Sequence, residues 1–197
     1  GEEVTITIER DKKEKDIIHS GVVRALACNS LGGATLEIEC SSFKGRGNYT
    51  FTGSLGDIIK ESIEVSISYI KSNAKNLNID ENFFLDNDIH IHFTQTAIAK
   101  DGPSAGASIT TAILSLLKSK VIPSNISMSA EISLKGDVSK IGGVKEKIIA
   151  AKRNKIDKIF LSKDNKRDVE WLDKELIEGI EFVFVDNYLE IFKEIFK

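Results

Sequence analysis

Lys100-Asp101-Gly102-Pro103-Ser104-Ala105-Gly106 sets a serine among glycine, proline and alanine, just ahead of the apolar run Ile109 to Leu117. That run has helical spacing, so Ser104 falls where a glycine-rich loop opens into a helix. Small neighbours let a peptide backbone approach closely, and the free N–H groups of a helix start stabilise a developing oxyanion. Serine is also a common helix cap. Both readings stay open on this stretch alone, and a catalytic one needs a base from elsewhere in the chain.

Composition narrows the classes. Of 197 residues, 41% are hydrophobic and 29% charged, an ordinary balance for a globular protein of one good-sized domain or two small ones. The net charge of −3 and the lack of a basic stripe argue against a general nucleic-acid binder, and no specific nucleic-acid partner is expected. No apolar run approaches the ~18–20 residues of a membrane span, so no membrane association is expected. Cys28 and Cys40 form no Cys-x-x-Cys pair and read as reduced thiols, which suggests a cytoplasmic setting. The N-terminus carries no signal-peptide pattern and begins at Gly1, as a piece of a longer chain would.

Taken in order, Val4 to Ile8 alternates like a strand, and Glu9 to Asp16 is an unbroken block of charge that reads as a solvated link. Residues 1–20 are therefore expected to be an N-terminal strand and link, with 21–197 as the folded domain. Gly21 to Ala27 and Ala34 to Glu39 read as a hairpin around Gly32-Gly33. Ser41 to Gly47 reads as a loop and Tyr49 to Thr52 as a short strand. Ile59, Ile63, Ile67 and Ile70 mark an amphipathic helix from Ile58 to about Leu77. Asp88 to Phe93 alternates strictly, with His90 and His92 on one face. Those two histidines could ligate a metal, but only His19 remains as a third nitrogen ligand, so no metal site is expected. Ile126 to Leu134 reads as one alternating strand, with Ser129 and Glu131 on the same face. Val144 to about Arg153 reads as a helix released by Gly142-Gly143. Beyond it strands and helices alternate, at Ile156 to Leu161, Lys166 to Leu172, Ile180 to Val185 and Tyr188 to Phe196. The whole is an α+β chain, rich in hairpin strands first and in alternating helices and strands afterwards.

A serine hydroxyl needs a base, and lysine serves if burial lowers its pKa. Lys145 and Lys147 lie on the helix after Gly142-Gly143. A helical wheel puts them on opposite flanks of the Val144/Ile148/Ala151 stripe and does not choose between them.

Several motifs occur together and in order: Lys100 to Gly106, Met128-Ser129-Ala130-Glu131-Ile132, and Ile141-Gly142-Gly143-Val144-Lys145-Glu146-Lys147-Ile148. With Thr50 to Gly56, Lys60-Glu61-Ser62, Asp88 to His92 and Asn165 to Asp168, they resemble the proteolytic domain of the A-type Lon ATP-dependent proteases over about Gly21 to the C-terminus. The resemblance implies the Lon proteolytic-domain fold and a Ser104–Lys147 catalytic dyad, with Lys145 only a flanking residue. It implies an oxyanion loop at Gly102, Pro103 and Ala105. Ser129 stands where the family has an assisting threonine, with Glu131 two residues on. Asp101, beside Ser104, is a candidate to hold the lysine in an inactive arrangement. Ala99 stands where proline is usual, and Cys28 where an aromatic is common.

The implied activity is that of an ATP-dependent serine endopeptidase of the endopeptidase La type, degrading unfolded, damaged or regulatory proteins. No Gly-x-x-x-x-Gly-Lys-Ser/Thr phosphate loop is present, so this domain is expected to bind no cofactor. ATP and Mg then belong to an ATPase domain outside this chain, which would also have an N-terminal domain and assemble as a homo-hexamer. The implied location is the cytoplasm, or the mitochondrial matrix in a eukaryote. The competing readings are a non-catalytic Lon-like assembly module and a metal-dependent hydrolase built on His90 and His92.

Overall fold

The computed structural model describes residues 15–96, 100 and 102–197. The expected strand at Val4 to Ile8 and most of the charged link lie outside the described residues.

The hairpin forms as expected. β1 (Val22–Asn29) pairs antiparallel with β2 (Gly32–Lys44), and Cys28 stands opposite Gly33. The segment from Ser41, expected to be a loop, instead continues β2 as far as Lys44. Its side chains are mostly exposed, so they carry no burial signal, but its main chain pairs with a later strand. β3 (Tyr49–Thr52) leads into α1 (Asp57–Ser72), which ends about one turn before the expected Leu77. There the Asn73 side chain donates to the Tyr69 carbonyl (2.9 Å), competing for a helical acceptor. A single turn, α2 (Phe83–Asp86), precedes β4 (Asn87–Phe93). The first sheet has the order β1-β2-β4-β3, with β3 and β4 parallel. Ile89, Ile91 and Phe93 of β4 are buried, while His90 and His92 face the other side.

α3 (Gly106–Leu117) follows the serine loop and is buried almost end to end. β5 (Ile126–Ser129) and β6 (Glu131–Ile132) occupy the stretch expected to be one strand. The break falls at Ala130, whose N–H donates to the Ser104 carbonyl and whose carbonyl accepts from the Ala107 N–H, both at 3.0 Å. With its hydrogen bonds taken by the serine loop, the strand cannot run through. β6 pairs instead with β7 (Val138–Ser139). α4 (Val144–Arg153) comes next, then β8 (Lys158–Ser162), the short helices α5 (Lys166–Glu170) and α6 (Lys174–Ile177), β9 (Glu181–Val185) and α7 (Tyr188–Ile195). β5, β8 and β9 make a parallel sheet, so the second half has the helix–strand alternation read from the sequence.

Two apolar cores result. The larger packs α1 and α3 against the first sheet. The smaller joins the Val144/Ile148/Ala151 stripe of α4 to Ile159 and Leu161 of β8 and to Leu26 of β1. Ile63, in the middle of α1, is fully buried in the larger core. Replacing it with alanine is expected to cost about 2–5 kcal/mol through lost burial and a residual cavity. Urea unfolding measures this, and a loss under ~1 kcal/mol would mean the site collapses onto the smaller side chain.

Candidate active site

Three chain segments make up the site: the serine loop and the start of α4 line one cavity of about 490 Å³ together with β1 and β2, and the end of β5 is hydrogen-bonded to Lys147 behind it. The serine loop is the first. Pro103–Ala105 forms a 3-10 turn that runs directly into α3, and Gly102 before it has φ +140°, a conformation suited to glycine. The loop is anchored at both ends. At its start, Lys100 exchanges main-chain hydrogen bonds with Ser54 and Gly56, and its amine donates to the carbonyls of Gly53 (2.8 Å) and Gln95 (2.6 Å). At its end, the Ala130 bonds hold Ser104 and Ala107 to the strand that carries Ser129. Ser104 is half-buried and lines the cavity.

The second segment is the end of β5. Ser129 is fully buried beside the third segment, the first turn of α4. Gly143 starts α4 in the left-handed region (φ +67°), and Lys147 follows within the first turn. Lys147 is only 5% exposed, and its Nζ donates to Ser129 Oγ at 3.0 Å. Lys145 is exposed, so the structure separates two lysines that the helical wheel left equivalent. Burial lowers the Lys147 pKa from 10.5 to about 8, against a smaller upward pull from the Cys28 sulfur. At pH 7 about one amine in ten is then neutral, far more than for an exposed lysine. Lys147 lines the same cavity as Ser104, and no hydrogen bond joins the two side chains among the described residues.

The remaining site residues divide. Gly102, Pro103 and Ala105 line the cavity with Ser104. Glu131 is exposed on β6 and does not share the buried environment of Ser129, since the break at Ala130 separates them. Asp101 lies outside the described residues. His90 and His92 do not line the cavity. The Thr52 hydroxyl lies 2.9 Å from His90 Nε2 and 2.6 Å from His92 Nδ1, on the polar face of the sheet. No group of three or more His, Cys, Asp or Glu is placed to hold a metal among the described residues.

The cavity has apolar walls from Ala25, Ala27, Leu36, Ile59 and Phe93, with Ser104, Lys100 and Lys147 among its polar lining residues. A buried amine with a depressed pKa, facing a cavity it shares with a loop serine, can take a proton from a hydroxyl. A peptide segment is a suitable occupant of such a cleft.

Comparisons with known proteins identify the family. The family model for the Lon protease C-terminal proteolytic domain matches residues 3–197. The chain belongs to the Lon protease C-terminal domain family. It is 39% identical over 196 residues to the Lon protease of Aster yellows witches'-broom phytoplasma, covering all of this chain and 24% of that protein. To the Lon protease of Lachnoclostridium phytofermentans it is 44% identical over 173 residues, 88% of this chain and 21% of the relative. To that of Koribacter versatilis it is 45% identical over 195 residues, 97% of this chain and 24% of the relative. This Lon domain therefore spans less than a quarter of the length of these relatives. Among the described residues no helix is long and apolar enough to cross a membrane.

Reading the residues singly missed two contributors in this Lon domain. Asn165 is fully buried and brackets Ile141, accepting from its N–H (3.0 Å) and donating to its carbonyl (2.9 Å), which fixes the approach to Gly142-Gly143. The Asn165 to Asp168 motif was the available signal, since Asp168 accepts a further bond from the Asn165 amide. Cys28, expected as a reduced thiol at a position where an aromatic is common, lies at the cavity against the start of α4.

Lys147 also links stability to pH. Its folded pKa lies below its unfolded value, so between about pH 8 and 10.5 the unfolded chain binds more protons and stability rises with pH. Below that window the charged amine must be buried, at a cost of up to ~3 kcal/mol. Lys147→Met is expected to be more stable than wild type at pH 7, with the difference shrinking from pH 8 to 10.5. Urea titrations across that range measure it, and a difference independent of pH would contradict the lowered pKa.

Proposed function

We propose that this chain is the peptide-cleaving domain of an ATP-dependent Lon-type serine endopeptidase, with Ser104 as nucleophile and Lys147 as general base. The observation that carries the proposal is the buried Lys147 amine, bonded to Ser129 and facing the cavity lined by Ser104.

Neutral Lys147 accepts the hydroxyl proton as Ser104 Oγ forms a bond to the scissile carbonyl carbon. The carbonyl π pair moves onto oxygen, and the main-chain N–H groups of Ser104 and Ala105 stabilise that charge. When the intermediate collapses, the C–N bond breaks and the Lys147 ammonium returns its proton to the leaving amine. Water then repeats the sequence on the acyl-enzyme and releases the new carboxyl end. Ser129 accepts a hydrogen bond from Nζ and so steers the amine, the role the family's threonine would have. In the same reading the substrates are unfolded, damaged or regulatory proteins. ATP and Mg are bound by an ATPase domain outside this chain, consistent with the absence here of a phosphate loop. The full protein, with its N-terminal domain, assembles as a homo-hexamer in the cytoplasm, or in the mitochondrial matrix if eukaryotic.

Cleavage of a fluorogenic peptide tests the dyad. Ser104→Ala and Lys147→Ala are each expected to lower kcat by about 10³-fold or more, as removal of either half of a unit does. Lys145→Ala retains activity. If Lys145→Ala were inactive and Lys147→Ala active, the base would be misassigned. Ser129→Ala is expected to lower kcat about tenfold through a less well-held amine, while Ser129→Thr keeps most of it. Equal kcat in Ser129→Ala and wild type would remove the steering role.

A further inference from the structure

Gly33 follows Gly32 at the start of β2, and its φ lies outside the left-handed region, so backbone conformation does not require a glycine there. Space does. A Cβ on Gly33 would lie 2.0 Å from the Glu146 carbonyl oxygen, 2.6 Å from the carbonyl carbon and 3.2 Å from Ala150 Cβ. The first two are main-chain atoms of α4 and cannot rotate away. Glu146 immediately precedes Lys147.

Two other contacts reach α4 from the same end of the hairpin. Cys28, the cross-strand partner of Gly33, sits where a Cβ on Gly143 would be 2.7 Å from its sulfur. That same Cβ position is 4.0 Å from Lys147 Cε, so Cys28, Gly143 and the Lys147 side chain crowd one spot. At the far end of α4, Arg153 Nη2 donates to the Gly33 carbonyl at 3.0 Å. One strand pair therefore holds α4 at its start, its first turn and its last turn.

We propose that Gly33 is a positioning residue for the reaction: its missing side chain lets α4 seat against the β1–β2 hairpin closely enough to keep water from the Lys147 amine. A methyl group at this position must push the first turn of α4 outward by about 1–1.5 Å to reach ordinary contact distance. The turn that moves is the one that carries the base. Other groups around the amine are few. Cys28 faces it from β1. Lys100 from the serine loop and Lys140 from the segment after β7 line the same cavity, and Asp101 lies outside the described residues. On α4 itself Lys145 is exposed and Glu146 half-buried. Gly33→Ala adds no charge and removes none of these groups, so a change in the pH profile reports the seating of α4.

This inference rests on the reading of Lys147 as base. It is tested with Gly33→Ala, by kcat/KM for a fluorogenic peptide from pH 6 to 10.5. The rising limb is expected to move up by about one pH unit, lowering the rate about tenfold at pH 7 while it approaches wild type at pH 10. A purely structural defect lowers the rate equally at every pH, and that result, or wild-type behaviour throughout, overturns the proposal. If Gly33→Ala does not fold, Ala150→Ser carries the test from the facing side of the same contact. It is expected to shift the limb in the same direction by a smaller amount, and an unmoved limb overturns the proposal. Lys147→Ala separates the two claims. Its retained activity would sink the base assignment, whereas an inactive Lys147→Ala with an unmoved limb in Gly33→Ala sinks the positioning role alone.

Discussion

A lysine ammonium is strongly hydrated, and enclosing it in apolar surroundings removes that hydration unless a counter-charge replaces it. At Lys147 the nearest polar partner is the neutral Ser129 hydroxyl. The amine therefore holds its proton weakly, and much of the surrounding structure serves to maintain that condition. The α4 stripe of Val144, Ile148 and Ala151 fixes the helix on Leu161 and Ile159, the β1–β2 hairpin closes over its first turn, and Asn165 clamps the chain leading into it. The resulting penalty falls on folding stability below about pH 8, a common trade at sites that need a perturbed group.

The serine loop is positioned through a different device. Its anchor is main chain on main chain: Ala130 gives its N–H to Ser104 and its carbonyl to Ala107. This splits β5 from β6, yet it places Ser104 and Ser129 on adjoining stretches of backbone, one residue removed from a shared contact. Because Ser129 also holds Lys147, the strand end acts as a common reference for Ser104 and Lys147, the proposed nucleophile and base. The apolar walls of the cavity then come from β1, β2, α1 and β4, elements of the larger core with little freedom to move.

The sequence was most informative where side chains alternate or repeat. Ile89, Ile91 and Phe93 marked β4, and the isoleucines marked α1, because one face of each is buried and the period shows it. It was least informative where the main chain decides. Ser41 to Lys44 carry no hydrophobic pattern and still form a strand, because β4 offers them backbone partners. Ile126 to Leu134 alternate without fault, but no side-chain period can report that the Ala130 main chain is diverted to a loop distant in sequence. Glu131 was grouped with Ser129 for the same reason and lies exposed instead. The two lysines of α4 differ only through tertiary burial, supplied by β1 and β2 more than one hundred positions earlier in the chain. The local wheel could not see that, and the ordered set of motifs supplied the choice in its place.

The proposed chemistry depends on the protonation of one amine. A carbon-13 NMR titration of the chain labelled at lysine Cε, with the Lys147 resonance identified by its loss in Lys147→Met, reads that protonation directly. The structure predicts a midpoint at about 8 for this resonance. A midpoint near the ordinary 10.5 would mean that the amine is hydrated and charged, and would contradict its use as a base.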